Sequence, residues 1–203
     1  MKKTEKRILV FGGSFDPPQN GHALVLREVL KRVPCEKAII IPSADRLDKL
    51  IGTSGTDRFE MVHRMCSECI PEFLYKVEIS LIELTRGKPS TTCETERELK
   101  GRYPGSEIAF IVGSDVLPEV RTKWIEGEYL WGYANFIAYP RKGFSLGTSQ
   151  CIPRNTDILE IPEALTMEIS STDVRERIGK GESIDDLVPA SVAAYIRENG
   201  LYR

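Results

Sequence analysis

The amino-acid sequence predicts an α/β protein with a doubly wound, mostly parallel sheet, and three observations carry that expectation. Short apolar runs ending in glycine or proline recur along the chain: RILVFGG at 7–13, KAIIIP at 37–42 and SEIAFIVG at 106–113. Segments with apolar residues at three- and four-residue spacing stand between them, the signature of amphipathic helices. Residues that start helices precede these segments, such as Asp57 and the Thr91/Glu94 pair. Strands alternating with helices need crossover connections, which give parallel sheets covered on both faces. The expected architecture is Rossmann-like, with helices on both sides.

Taken in order, RILVFGG is a buried-type strand, and HALVLREVLKRV at 22–33 is a helix with Leu24, Leu26, Val29, Leu30 and Val33 on its apolar side. KAIIIP closes a βαβ unit, right-handed by the general rule. A polar loop at 43–56 leads to a helix over 57–69. YKVEISLIEL at 75–84 alternates as a strand does, and STTCETERELKGRY at 90–103 reads as a helix with a Thr91/Glu94 capping box. SEIAFIVG follows as a strand, then short helical pieces at 115–124 and 127–134, then strands at NFIAYPR (135–141) and TDILEI (156–161). A capped helix at 170–181 and a last helix at 189–200, with Pro189 at its start and Gly200 at its end, complete the chain. The segment 143–156 is the candidate mobile loop.

The 203 residues suit a single domain over 1–203, with 168–203 a C-terminal helical subregion. A net charge of −2 disfavours sequence-independent nucleic-acid binding, while a small anion needs only a local positive pocket. No apolar run approaches a membrane span or a signal peptide, and five scattered cysteines suit a reducing compartment, so the expected location is cytoplasmic. His63, Cys66 and Cys69 fall at successive three-residue steps, but a metal site needs further ligands, so they read as a half-buried helix face.

Two stretches carry chemistry. The first, FGGSFDPPQNGH at 11–22, joins the first strand to the first helix, at the sheet edge where doubly wound folds bind ligands. Gly12 and Gly13 let a phosphate approach the backbone, Gly21 relieves crowding where the helix begins, and His22 projects from its first turn. Free N–H groups and the helix dipole there attract anions. The same residues also fit a tight turn with a capping histidine. The loop lacks the Gly-Lys-Ser/Thr of a Walker loop and the glycine spacing of the dinucleotide fingerprint. The second stretch, ISSTDVRER at 169–177, sets Ser170, Ser171 and Thr172 at a helix start with Arg175 in the first turn. It reads as a second anion site or as an ordinary cap with a surface ion pair. As a pair, the two suggest one polyphosphate held between two helix ends.

These motifs resemble those of a nucleotidyltransferase family. GGSFDPPQNGH resembles its first signature, and ISSTDVR its distal one. ELTRGKPSTTCET, IAFIVGSDVLPEVRTKW and LVPASVAAYIRENGLYR are similar to stretches of the nicotinate/nicotinamide mononucleotide adenylyltransferases, in the nucleotidyltransferase α/β phosphodiesterase superfamily. The resemblance implies an enzyme that joins ATP to nicotinate or nicotinamide mononucleotide by in-line transfer, giving NaAD or NAD and pyrophosphate, with Mg2+ carried mainly by the ATP phosphates. By the same resemblance His22 and Arg175 are catalytic. Gly12, Gly13, Ser14, Phe15, Gln19, Gly21, Ser170, Ser171 and Thr172 bind ATP and its phosphates, and Gly113 and Asp115 meet adenosine. Lys49, Arg58, Thr91, Thr92 and Trp124 fall at mononucleotide-binding positions, Lys49 and Arg58 only loosely. On residue chemistry alone a helix N-cap is the alternative for Asp115, and Trp124 is equally a core residue.

Three positions depart from the family pattern. Gln19 stands where a histidine is usual, Pro18 stiffens the loop before it, and Thr91 replaces a tyrosine. The sister phosphopantetheine adenylyltransferases carry a neutral threonine at the Gln19 position, so a neutral donor is tolerable there. Gln19 is expected to give both amide hydrogens to phosphate, with a weaker hold on ATP. A transferase for another phosphorylated acceptor such as phosphopantetheine, or a nucleotide sensor without catalysis, are the other readings. The sequence does not separate nicotinate from nicotinamide, and self-association into a homo-oligomer stays open.

Overall fold

The computed structural model describes residues 6–44, 51–141, 152–160 and 169–203. Six strands form one sheet: β1 (Arg7–Gly13), β2 (Lys37–Pro42), β3 (Val77–Ile79), β4 (Glu107–Gly113), β5 (Asn135–Tyr139) and β6 (Asn155–Ile158). Their order is β3-β2-β1-β4-β5-β6, and every neighbouring pair is parallel. The doubly wound sheet is therefore parallel throughout its described strands. Both faces are covered, which is why the central strands read as unbroken apolar runs.

Alternation along the strands sends successive residues to opposite faces. Leu9 and Phe11 of β1, Ala38 and Ile40 of β2, and Ala109 and Ile111 of β4 enter one core. Ile8, Val10, Ile39, Ile41, Ile108 and Phe110 enter the other. The first core is closed by α1 (Asn20–Arg32), α2 (Gly55–Cys69), α6 (Ser171–Gly179) and α7 (Ala190–Glu198), through residues such as Leu26, Met61, Val174 and Ile196. The second is closed by α3 (Thr92–Arg102), α4 (Val120–Lys123) and α5 (Gly127–Tyr133), through Cys93, Leu99, Val120 and Leu130. A fully buried leucine such as Leu26 contributes roughly 1.5–3 kcal/mol by leaving water.

Two expectations narrow. The alternating run at 75–84 forms only three residues of strand, preceded by a 3-10 turn over Pro71–Lys76. The first helix begins at Asn20, two residues before the amphipathic pattern, because Gln19 caps it. The Thr91/Glu94 capping box forms on α3 as expected. On α2, Cys66 lies in the core, where burial pushes its thiol up to about 12, while His63 is exposed. Among the described residues no group of three or more His, Cys, Asp or Glu is placed to hold a metal. No helix among them is long and apolar enough to cross a membrane. Lys49, Cys151 and residues 143–151 of the candidate loop lie outside the described residues.

Candidate active site

The strand order turns back between β1 and β4, and in such sheets ligands bind at the carboxyl ends of the strands beside this reversal. Gly12 and Gly13 end β1 there, and Gly113 ends β4. Gly12 is exposed, with open space where a side chain would stand, so its backbone can be approached. After Gly13 the chain turns through Phe15, which takes a left-handed φ of 46° and is almost fully buried. Its ring packs edge-on against Phe11 and His22, with centroids 5.6 and 5.0 Å away. Phe15 thus wedges the loop from beneath, and its side chain does not face a ligand.

The next residues build the start of α1. Gln19 is its N-cap: the side-chain oxygen accepts from the backbone N–H of Gly21 and, at 3.2 Å, of His22. In return the Gln19 backbone N–H donates to Nδ1 of His22 at 3.1 Å. Gly21 is needed here because a Cβ on it would come within 2.6 Å of the Gln19 amide oxygen. Since Nδ1 of His22 accepts a hydrogen bond, the ring proton sits on Nε2. Burial lowers the pKa of His22 from 6.5 to about 4, and the positive charge of Arg141 adds to the effect. At neutral pH His22 is therefore an uncharged N–H donor, not an imidazolium.

The Gln19 side chain differs from expectation. Its Nε2 donates to the Ile169 carbonyl at 2.8 Å, and the residue is buried. One of the two amide hydrogens expected for phosphate is thus taken by the backbone, and the other end of the amide caps the helix.

The second motif folds against the first. Ser170 caps α6 in a box with Asp173, so its hydroxyl is engaged locally. The Ser171 hydroxyl donates to the Pro17 carbonyl at 2.8 Å, and Arg175 donates to the Asp16 carbonyl at 2.7 Å. Arg175 also donates to the Thr172 hydroxyl at 3.1 Å, and its side chain remains 28% exposed. From the C-terminal tail, the Tyr202 hydroxyl donates to the buried Asp16 carboxylate at 2.8 Å. Ser171, Arg175 and Tyr202 together hold the 16–17 turn, so the two motifs lie side by side.

Beyond β4, Gly113 gives the Asp115 carboxylate room to fold back over the strand end, since a Cβ there would collide with it. Arg141 lies just past β5, with Nε 3.7 Å from Asp115, and its backbone N–H donates to the Ser114 hydroxyl at 2.9 Å. Sequence reasoning did not single out Arg141. Its place at a strand's carboxyl end was the available signal.

The expected mononucleotide residues divide. Arg58 is buried, its guanidinium donating to the carbonyls of Ser14 and Ser43, both at 2.8 Å, and of Thr53 at 3.3 Å. It ties the glycine loop to the end of β2 from behind, which removes it from the substrate-facing set. The Thr91 hydroxyl serves the α3 cap, and Thr92 opens that helix half-buried. Cys93 of the same turn donates toward the Ile125 carbonyl at 3.5 Å, so the start of α3 abuts the segment bearing Trp124. Trp124 is half-buried and meets Phe136 edge-on at 6.5 Å.

A family model described as cytidylyltransferase-like matches residues 10–177. The chain belongs to the cytidylyltransferase-like family. Within that family it is 35% identical to the nicotinate-nucleotide adenylyltransferase of Bacillus subtilis, over 97% of this chain and 98% of that one. It is 36% identical to a probable nicotinate-nucleotide adenylyltransferase of Thermus thermophilus, over 97% and 100%. Among solved structures, the Plasmodium falciparum nicotinic acid mononucleotide adenylyltransferase complexed with NaAD superposes with a TM-score of 0.87 at 24% identity, covering 97% of each chain. The cytidylyltransferase-like match spans both motifs, at 11–22 and 169–177, and the chain between them.

Proposed function

We propose that this chain is an adenylyltransferase that joins ATP to nicotinate mononucleotide, forming NaAD and releasing pyrophosphate. The observation that supports the reaction class is the attachment of Ser171 and Arg175 to the 16–17 turn, which sets two helix N-termini beside one glycine loop. The names of the full-length relatives support the substrate.

In this reading the mononucleotide phosphate oxygen attacks the α-phosphorus of ATP in line. A new P–O bond forms, and the bond to the β-phosphate bridge breaks with its electron pair going to pyrophosphate. The nucleophile is already ionised, so no side chain needs to take a proton. That matches a neutral His22, which would donate its Nε2–H to the phosphate oxygens as charge shifts. Gly12, Gly13 and Ser14 would line the phosphate path, and Arg175 with Thr172 would hold the leaving pyrophosphate. Asp115 would accept from the ribose hydroxyls, and Trp124 with Thr92 would border the pyridine ring. Mg2+ would arrive mainly on the ATP phosphates. The reading takes the chain as one catalytic domain working in the cytoplasm.

Pyrophosphate release with ATP and Mg2+ tests this, comparing nicotinate mononucleotide, nicotinamide mononucleotide and phosphopantetheine. The expected outcome is turnover at least about tenfold faster with nicotinate mononucleotide. Preferred turnover of phosphopantetheine, or ATP binding with no release, overturns the reading.

A further inference from the structure

Gln19 occupies the motif position where a phosphate ligand was expected, yet both ends of its amide meet protein. The oxygen takes the N–H groups of Gly21 and His22, and Nε2 donates to the carbonyl of Ile169, the residue before the α6 cap. The residue is 4% exposed. It therefore spans from the first turn of α1 to the chain that leads into α6, 150 residues away.

We infer that Gln19 is a positioning residue for adenylyl transfer, a strut that sets His22 against Arg175, and not a ligand of ATP. The inference rests on the transfer reading above. Its chemical requirement is specific. One uncharged group must accept from helix N–H groups at one end and donate to a carbonyl at the other. An amide does so, and a neutral imidazole, with one acceptor and one donor nitrogen, does so as well. A carboxylate would face the Ile169 carbonyl with a second acceptor, and an ammonium would offer the helix no acceptor. Gly21 reports the same constraint, since a Cβ there would intrude on the amide oxygen. Gln19 in place of histidine thus preserves the strut while carrying no charge.

The test is Gln19→Met beside Gln19→His. Each is measured for kcat and KM in pyrophosphate release, for ATP affinity by calorimetry, and for thermal melting. A misplacement of about 1 Å between catalytic groups costs up to roughly 100-fold in rate. Gln19→Met is expected to lose about tenfold or more in kcat while the KM and Kd for ATP stay within about twofold. Gln19→His is expected to keep kcat within about twofold of the parent protein. A tenfold rise in the ATP Kd of Gln19→Met, with kcat retained, overturns the inference in favour of direct phosphate contact. Equal loss in both variants overturns it in favour of simple packing. If Gln19→Met does not fold, Gln19→His decides alone, and a tenfold loss of kcat in it overturns the strut. Failure of the transfer reading is distinct, because the parent protein would then release no pyrophosphate. The calorimetric arm still judges whether Gln19 touches ATP.

Discussion

The N-termini of α1 and α6 look alike in sequence, each a polar cap with one basic or imidazole side chain within the first five helical residues. In space they are different instruments. The α1 terminus has no acidic residue in its first turn, and its cap is built from two neutral groups, Gln19 and His22. No acidic side chain of that turn offsets its share of the helix dipole. The α6 terminus carries Asp173, whose carboxylate accepts from the N–H and hydroxyl of Ser170. A negative charge already sits at that helix end. What α6 presents is the Arg175 guanidinium, aimed by its bond to the Asp16 carbonyl. The difference separates a helix end capped without charge, whose N–H groups are taken by Gln19 and Leu187 and which offers the His22 imidazole, from one that carries a carboxylate and offers the Arg175 guanidinium.

In the transfer reading proposed above, the largest loss comes from the α1 end. His22→Ala is expected to lower kcat by on the order of 100-fold or more, as for removal of a donor to developing charge. Near-parental turnover breaks the comparison. Arg175→Ala comes next, with kcat/KM for ATP expected to fall roughly 10- to 100-fold, as for loss of a charged hydrogen bond. Arg175→Lys should recover only part, because an ammonium cannot hold the Asp16 carbonyl, the Thr172 hydroxyl and a phosphate in one plane.

The neutral cap also predicts a pH signature. Above pH 6.5 His22 is uncharged whether the chain is folded or not. Between 6.5 and about 4 the unfolded chain binds a proton that the folded chain excludes, so stability is lost as pH falls through that window. The full loss is on the order of 3 kcal/mol. Denaturant melts at about pH 7 and pH 4.5 should therefore diverge less in His22→Asn than in the parent protein. An unchanged divergence would show that the imidazole titrates normally.

The sheet and the helix starts at the two motifs were legible because their signals are local. Alternating and 3.6-residue patterns mark RILVFGG and the helix after it, and glycine placement marks the strand ends. The roles of Gln19 and Arg58 were not legible because their partners are remote in sequence or lie on the backbone. Gln19 meets a carbonyl 150 residues away, and Arg58 meets carbonyls 15 and 44 residues away. No spacing rule reports a carbonyl acceptor, so a buried arginine that clamps a loop reads in sequence like one that awaits a phosphate. Arg141 was missed for a related reason. Its significance lies in standing opposite Asp115, on the far side of a strand pairing that only the sheet order supplies.

The smallest prediction is the sharpest for the contrast between the two helix ends. Asp173→Asn keeps an oxygen that can accept from the Ser170 N–H, so the cap should survive, but it removes the negative charge from the α6 terminus. If that terminus lies near the polyphosphate, relieving the charge should improve ATP binding by the usual worth of a charge at a helix end, about 0.3–1 kcal/mol. That corresponds to a fall in KM for ATP of roughly two- to fivefold, fading as salt is raised. A KM indifferent to both the substitution and salt would mean that only the Arg175 side chain of α6 faces the phosphates. The α6 terminus itself would then be strictly structural, in contrast to the His22 end of α1.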